Sequence, residues 1–120
     1  MKIKIQSIAD RGNPQKERIV MVVQSRTDVG QFALLDAGYS DGGVNTYTRD
    51  VYWFPDKPVN EGDYVVLYTK SGKDSEKLQK SGKKSHFFYW GKSGSKWEGT
   101  DMAPVLLQVE EWMSFDPTRT

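Results

Sequence analysis

His86 is the only histidine in this chain of 120 residues, so serine-hydrolase chemistry would have to run through it. It follows Lys83, Lys84 and Ser85, opens the aromatic run HFFYW, and has no G-x-S-x-G elbow to serve. We read it as a strand-end histidine, half in solvent. With one histidine and no cysteine, only carboxylates remain to hold a metal. Asp36, Asp41 and Asp50 flank a glycine-rich stretch and could bind a hard cation such as calcium. Their spacing is not that of an EF-hand, and turn chemistry alone accounts for Asp and Gly there. Glu110 and Glu111 are adjacent on an expected strand, so their side chains point to opposite faces and cannot work as an acid/base pair. Gly91, Lys92 and Ser93 spell the end of a phosphate-binding loop without its first glycine or a βα unit around it. The sequence therefore nominates no catalytic residue, no metal ligand and no cofactor, and the expectation is a protein that is not an enzyme.

Binding chemistry is better represented. Residues 70–85 (KSGKDSEKLQKSGKKS) carry six lysines against two acids. Lys73, Lys77, Lys80, Lys83 and Lys84, with Phe87 and Tyr89 directly after them, could form a nucleic-acid edge: cations for phosphate, rings for bases. Arginine, the better phosphate and base reader, is missing from the segment, and such Lys–Ser–Gly mixtures commonly do no more than keep a loop solvated. The second feature is an aromatic surplus. Four Trp, six Tyr and five Phe exceed what a small core needs, so some should be exposed as anchors for a protein partner. Tyr39, Tyr47, Trp97 and Trp112, which lie in or beside expected loops, are the candidates.

The elements that must carry these residues read as strands. Residues 51–69 (VYWFPDKPVNEGDYVVLYT) give an aromatic run, a Pro/Asn/Gly connection and a β-branched run. In the second run Tyr64, Val66 and Tyr68 lie on one face and Val65, Leu67 and Thr69 on the other, and both faces are apolar enough to predict an internal strand. Residues 2–8 alternate Lys with Ile as a half-buried first strand. Residues 18–24 (RIVMVVQ) predict a second strand and 31–35 (QFALL) a third. Residues 36–43 are turn-rich, with Asp41–Gly42–Gly43 a hairpin signal, and 44–50 read as a loop with one extended pass. HFFYW and 105–112 (VLLQVEEW) supply the last strands, and 115–120 a tail. Residues 70–85 offer only Leu78 to a core and are expected as one long exposed loop. About seven short strands and no convincing helix argue for an all-β fold, an immunoglobulin-like β-sandwich, as one domain spanning residues 1–120.

No run approaches the roughly 20 apolar residues of a membrane span. The opening MKIKIQSIADRG has no apolar core of a signal peptide, and the absence of cysteine fits a reducing compartment. The expected location is cytoplasmic, or a virion if the chain is phage-encoded. A net charge of +1 gives no global pull toward nucleic acid or membrane.

From about residue 15 to 110 the strand order resembles the lamin-tail domain, an immunoglobulin-like sandwich of nuclear lamins and many bacterial proteins. The resemblance rests on 17–21 (ERIVM), 32–39 (FALLDAGY), 52–55 (YWFP), 59–62 (VNEG), 64–68 (YVVLY), Trp90 and 105–107 (VLL). It implies a binding or scaffolding module without catalytic residues, whose partners can be protein, DNA or membrane. The leading expectation is a bacterial or phage module that binds protein in an accessory, structural or assembly role. Nucleic-acid binding through 70–84 is the alternative, and a sandwich stacking Trp on sugar stands behind it. Oligomeric state is open. Two further expectations are structural: deleting 70–84 should leave the fold intact, and Trp53→Ala should cost about 3–5 kcal/mol as a core truncation.

Overall fold

The computed structural model describes residues 1–119; Thr120, the last residue of the expected tail, lies outside them. The chain is an all-β sandwich. Among the described residues ten strands, rather than about seven, run in the order β1 (Ile3–Ala9), β2 (Arg18–Val23), β3 (Thr27–Asp28), β4 (Phe32–Ser40), β5 (Gly43–Trp53), β6 (Pro58–Val59), β7 (Tyr64–Tyr68), β8 (Ser75–Leu78), β9 (Lys84–Tyr89) and β10 (Met102–Gln108). One layer is a five-stranded sheet, β1-β2-β7-β9-β8, and the other a three-stranded sheet, β10-β4-β5. A two-residue ribbon of β3 and β6 closes one flank.

Alternation sorts the side chains. In the larger sheet Ile3, Ile19, Met21, Val23, Val65, Leu67 and Phe88 face the interior and are buried. Phe32 and Leu34 answer them from β4, with Tyr52 and Leu106 packed partly buried against the same cluster. Phe54 packs edge-on between Tyr52, at 5.0 Å, and Phe88, at 5.2 Å. β7 is internal as expected, flanked by antiparallel β2 and parallel β9.

A parallel β7–β9 pair needs a crossover, and the lysine-rich segment supplies it. This corrects the expectation of one long loop. Residues 70–74 pass over the end of β9, with Gly72 so close to the Tyr89 ring that a Cβ there would lie 2.5 Å from Cδ2. Residues 75–78 then form edge strand β8, Ser75 pairing with Phe87 and Leu78 with Lys84. The backbone of this polar segment is satisfied by β9, so the strand forms with little apolar burial of its own.

β5 is longer than expected: the supposed loop 44–50 is strand, continuous with Val51–Trp53. Asp41 and Gly42 have φ of 53° and 80° and make the tight β4–β5 hairpin that the sequence signals. Two register shifts follow, with Thr46 at φ 68°. These bulges and the Pro104 of β10, which has no N–H, blunt the two edges of the smaller sheet. The last strand ends at Gln108, four residues before its expected end, so Glu110, Glu111 and Trp112 lie beyond it in an extended arm.

Candidate functional site

Three buried polar clusters, around Glu17, Asp36 and His86, sit in the fold, and none was legible in the sequence. Glu17 is fully buried just before β2. Its Oε1 accepts from Gly12 N (2.9 Å), Ser95 Oγ (2.6 Å) and Trp97 N (3.2 Å), and its Oε2 from Thr69 Oγ1 (2.6 Å) and Lys96 N (2.9 Å). One carboxylate thus ties together the β1–β2, β7–β8 and β9–β10 connections. Burial opposes its ionisation, but the hydrogen bonds from Ser95, Thr69, Gly12 and Lys96 outweigh that and hold it below the usual range. It also seats Trp97, which is 1% exposed and part of the core. The expectation that Trp97 is an exposed anchor in a loop is therefore corrected: the loop is folded inward by its three consecutive links to Glu17.

Beside it, Asp36 is buried in β4 rather than placed in a turn. Its Oδ2 accepts from Arg49 Nε (2.8 Å) and Lys96 Nζ (3.1 Å), and Lys96 also reaches Asp50 at 2.8 Å. Lys92 adds a further cation on Asp50 at 3.0 Å. Burial pushes the Asp50 carboxyl up, yet Lys96 and Lys92 prevail and lower it to about 2. Lys96 lies 4.3 Å from the centre of the Trp90 ring. Asp36 and Asp50 do come together, but on lysine and arginine, while Asp41 stands apart at the hairpin tip. Among the described residues no three metal-ligating side chains converge.

His86 is likewise buried, not half in solvent, because β8 covers the outer edge of β9. Its Nε2 is 2.9 Å from Asp63 Oδ2, and Asp63 also accepts from Asn60 N and Lys84 N. Burial opposes Asp63 ionising, and these hydrogen bonds, that of His86 foremost, overcome it and lower its pKa. The pair brings together the residue types of a hydrolase Asp–His couple, but through Nε2 rather than Nδ1. His86 Nδ1 has no hydrogen-bond partner among the described residues, and the ring is sealed from substrate.

The lysines do not gather into one patch. Lys84 is paired with Glu76 at 2.8 Å, and Lys57 shares that carboxylate. The Lys83 stem lies against Gly62. Lys73, Lys77 and Lys80 are exposed, strung along the crossover, the edge strand and the following turn. Phe87 and Tyr89 face outward but are half-buried, with Tyr89 stacked on Tyr68 at 5.2 Å and roofed by Gly72. Arg18 and Lys70 already lie 5.8 and 5.1 Å from the Tyr68 ring centre.

The feature left open is the outer face of the smaller sheet. Register places Leu35, Val51 and Val105 across from one another, and Ala33, Trp53 and Leu107 in the next row. Val51 is 49% exposed, Trp53 50% and Leu107 41%, and no charged side chain stands in either row. Trp53 is thus a surface residue, not core. It is pinned by Nε1 donating to Gly30 O at 2.8 Å and by Trp112 packing edge-on at 5.0 Å. Gly30 has to be glycine, since a Cβ there would meet the Asp56 backbone at 2.9 Å. Of the nominated anchors, Trp112 caps one end of this face. Tyr39 and Tyr47 are exposed toward the hairpin end, about 20 Å along the strands at some 3.4 Å per residue. Val51, Trp53 and Leu107 were missed because strands apolar on both faces read as covered on both. The usable signal was that Val105/Leu107 and Val51/Trp53 alternate with residues already committed to the core. No protein-family model matches the chain, and no curated protein matches it either.

Proposed function

We propose that this chain is a non-enzymatic binding module that recognises a protein partner through the outer face of its three-stranded sheet. The single observation that carries the reading is the uncharged apolar surface of Leu35, Val51, Trp53, Val105 and Leu107, left open on the outer side of the smaller sheet. An exposed contiguous apolar face of this kind marks an interaction site. Its core of aliphatic side chains with Trp at the margin has the composition of an interface centre. Rigid strands hold it, so a partner would meet a preorganised surface. A scaffolding role agrees with the lamin-tail resemblance, and we extend the proposal to an accessory or assembly role in a bacterial cytoplasm or a phage particle.

The test uses Val51→Glu and Leu107→Glu, each of which places a charge in the face without touching the core. Proteins captured by the wild-type chain and competed by excess free protein should be lost from both variants. Capture that is indifferent to both substitutions would remove this face from the function. No helix among the described residues is long and apolar enough to cross a membrane, so lipid insertion by a helix is not part of the proposal.

A further inference from the structure

The occupant of this face can be narrowed. We infer that it is a second copy of this chain, packed sheet against sheet about a two-fold axis, with the C-terminal arms of both copies clasping the contact. This inference rests on the docking reading of the same face.

Three observations point to self-association. The first is charge. The rows Leu35–Val51–Val105 and Ala33–Trp53–Leu107 hold no charged group, so two copies can meet without like charges opposing one another, and a charged partner would find no complement there. A net charge of +1 also gives two whole copies almost no mutual repulsion.

The second is area. Trp53, Trp112 and Phe115 are 50, 64 and 67% exposed. With 150–250 Å² per aromatic side chain, they alone offer on the order of 400 Å². Val51, Leu107 and Met113 bring the apolar surface to roughly 700 Å², near the about 800 Å² that each partner contributes to a standard interface.

The third is the arm. Beyond Gln108, Val109 N donates to Gln31 O, and the chain then crosses to lay Trp112 on Trp53. The face therefore already takes an aromatic side chain from an extended segment. Met113 and Phe115 follow, 85 and 67% exposed. In a two-fold pair each arm is delivered to the margin of the other copy's face, where these two side chains find cover.

The experiment is sedimentation velocity over a concentration series reaching roughly 100 μM, which detects even weak dimers. Wild-type protein should sediment as a concentration-dependent dimer. Leu107→Glu and Val51→Glu, with unchanged circular dichroism, should be monomers. A chain ending at Gln108, which keeps every strand, should dimerise at least tenfold more weakly. A wild-type monomer throughout the series overturns the inference, as does a dimer that survives both Glu substitutions at wild-type affinity. Binding of an apolar fluorescent dye separates the two levels. Should the protein be monomeric yet bind dye in a manner abolished by Leu107→Glu, the face still docks another protein and only the second copy is excluded. Should it be monomeric with no face-dependent dye binding, the docking reading falls as well.

Discussion

Glu17→Ala should be the most destabilising single substitution at any polar residue of this chain. It deletes an acceptor that five donors share: three backbone N–H groups, of Gly12, Lys96 and Trp97, and two hydroxyls, of Thr69 and Ser95. An orphaned buried donor costs about 1–3 kcal/mol, but the hydroxyls can turn elsewhere and the smaller side chain admits water. Counting mainly the backbone groups gives a loss of about 4 kcal/mol, within the range for breaking a buried charged network. That is a large part of the 5–15 kcal/mol stability of an ordinary domain. Glu17→Gln keeps the shape but puts an amide NH₂ where one oxygen stood. If it replaces Oε2 it opposes the Lys96 N–H, so about 2 kcal/mol is expected. Urea unfolding followed by circular dichroism measures both. The pH dependence adds a second check. The folded Glu17 pKa is depressed, so its charge stabilises the fold above the unfolded value of 4.5 and that part is lost as pH falls below it. The gap between wild type and Glu17→Gln should therefore narrow in acid. A Glu17→Ala protein within about 1 kcal/mol of wild type at pH 7 would refute the claim that this carboxylate holds the three connections together.

The two tryptophans should exchange the roles expected of them. Trp97→Ala should cost about 3–5 kcal/mol in the same assay, as a core truncation. Trp53→Ala should cost only about 1–2 kcal/mol, for one hydrogen bond and one edge-on ring contact. Stability of the wild-type protein should decline between about pH 4.5 and pH 2 in thermal melts. Glu17, Asp63 and Asp50, the last lowered to about 2, all have depressed folded pKa values, so each contributes above its unfolded pKa and is lost as protons bind. Deleting residues 70–84 should no longer be silent: it removes β8, uncovers the edge of β9 and His86, and is expected to give aggregation on size-exclusion chromatography. Binding of single- and double-stranded DNA at low salt should be weak, and changing Lys80, Lys83 and Lys84 to Glu should alter it little, because two of those three are engaged or laid down on the protein. A micromolar complex that collapses with salt and with these substitutions would return the lysine segment to function.

The sequence by itself determined the strands and much of their pattern. The nearly continuous apolar run of 18–24 and the alternation in 64–69 placed β2 and β7, and the apolar character of both faces of 64–69 showed β7 to be internal, because the face a side chain takes is a property of the strand itself. Asp41–Gly42 announced its hairpin, since few residue pairs tolerate two positive φ values in succession. Tyr39, Tyr47 and Trp112 were rightly taken as exposed. What the sequence could not supply was which elements meet. Residues 75–78 are polar and have no strand signal of their own; they become β8 only because β9 offers an unpaired edge. His86 and Trp97 are buried by segments distant along the chain, and Asp36 and Glu17 find their side-chain partners 13 to 80 residues away, Gly12 N on Glu17 being the one near neighbour among the described residues. The apolar outer face of the smaller sheet follows the same logic. Each of its strands is apolar on both sides, and only the stacking of one sheet upon another decides which side is core and which is left exposed. Local periodicity is written in the chain; pairing, burial and the sign of a face come from long-range contacts that no single stretch encodes.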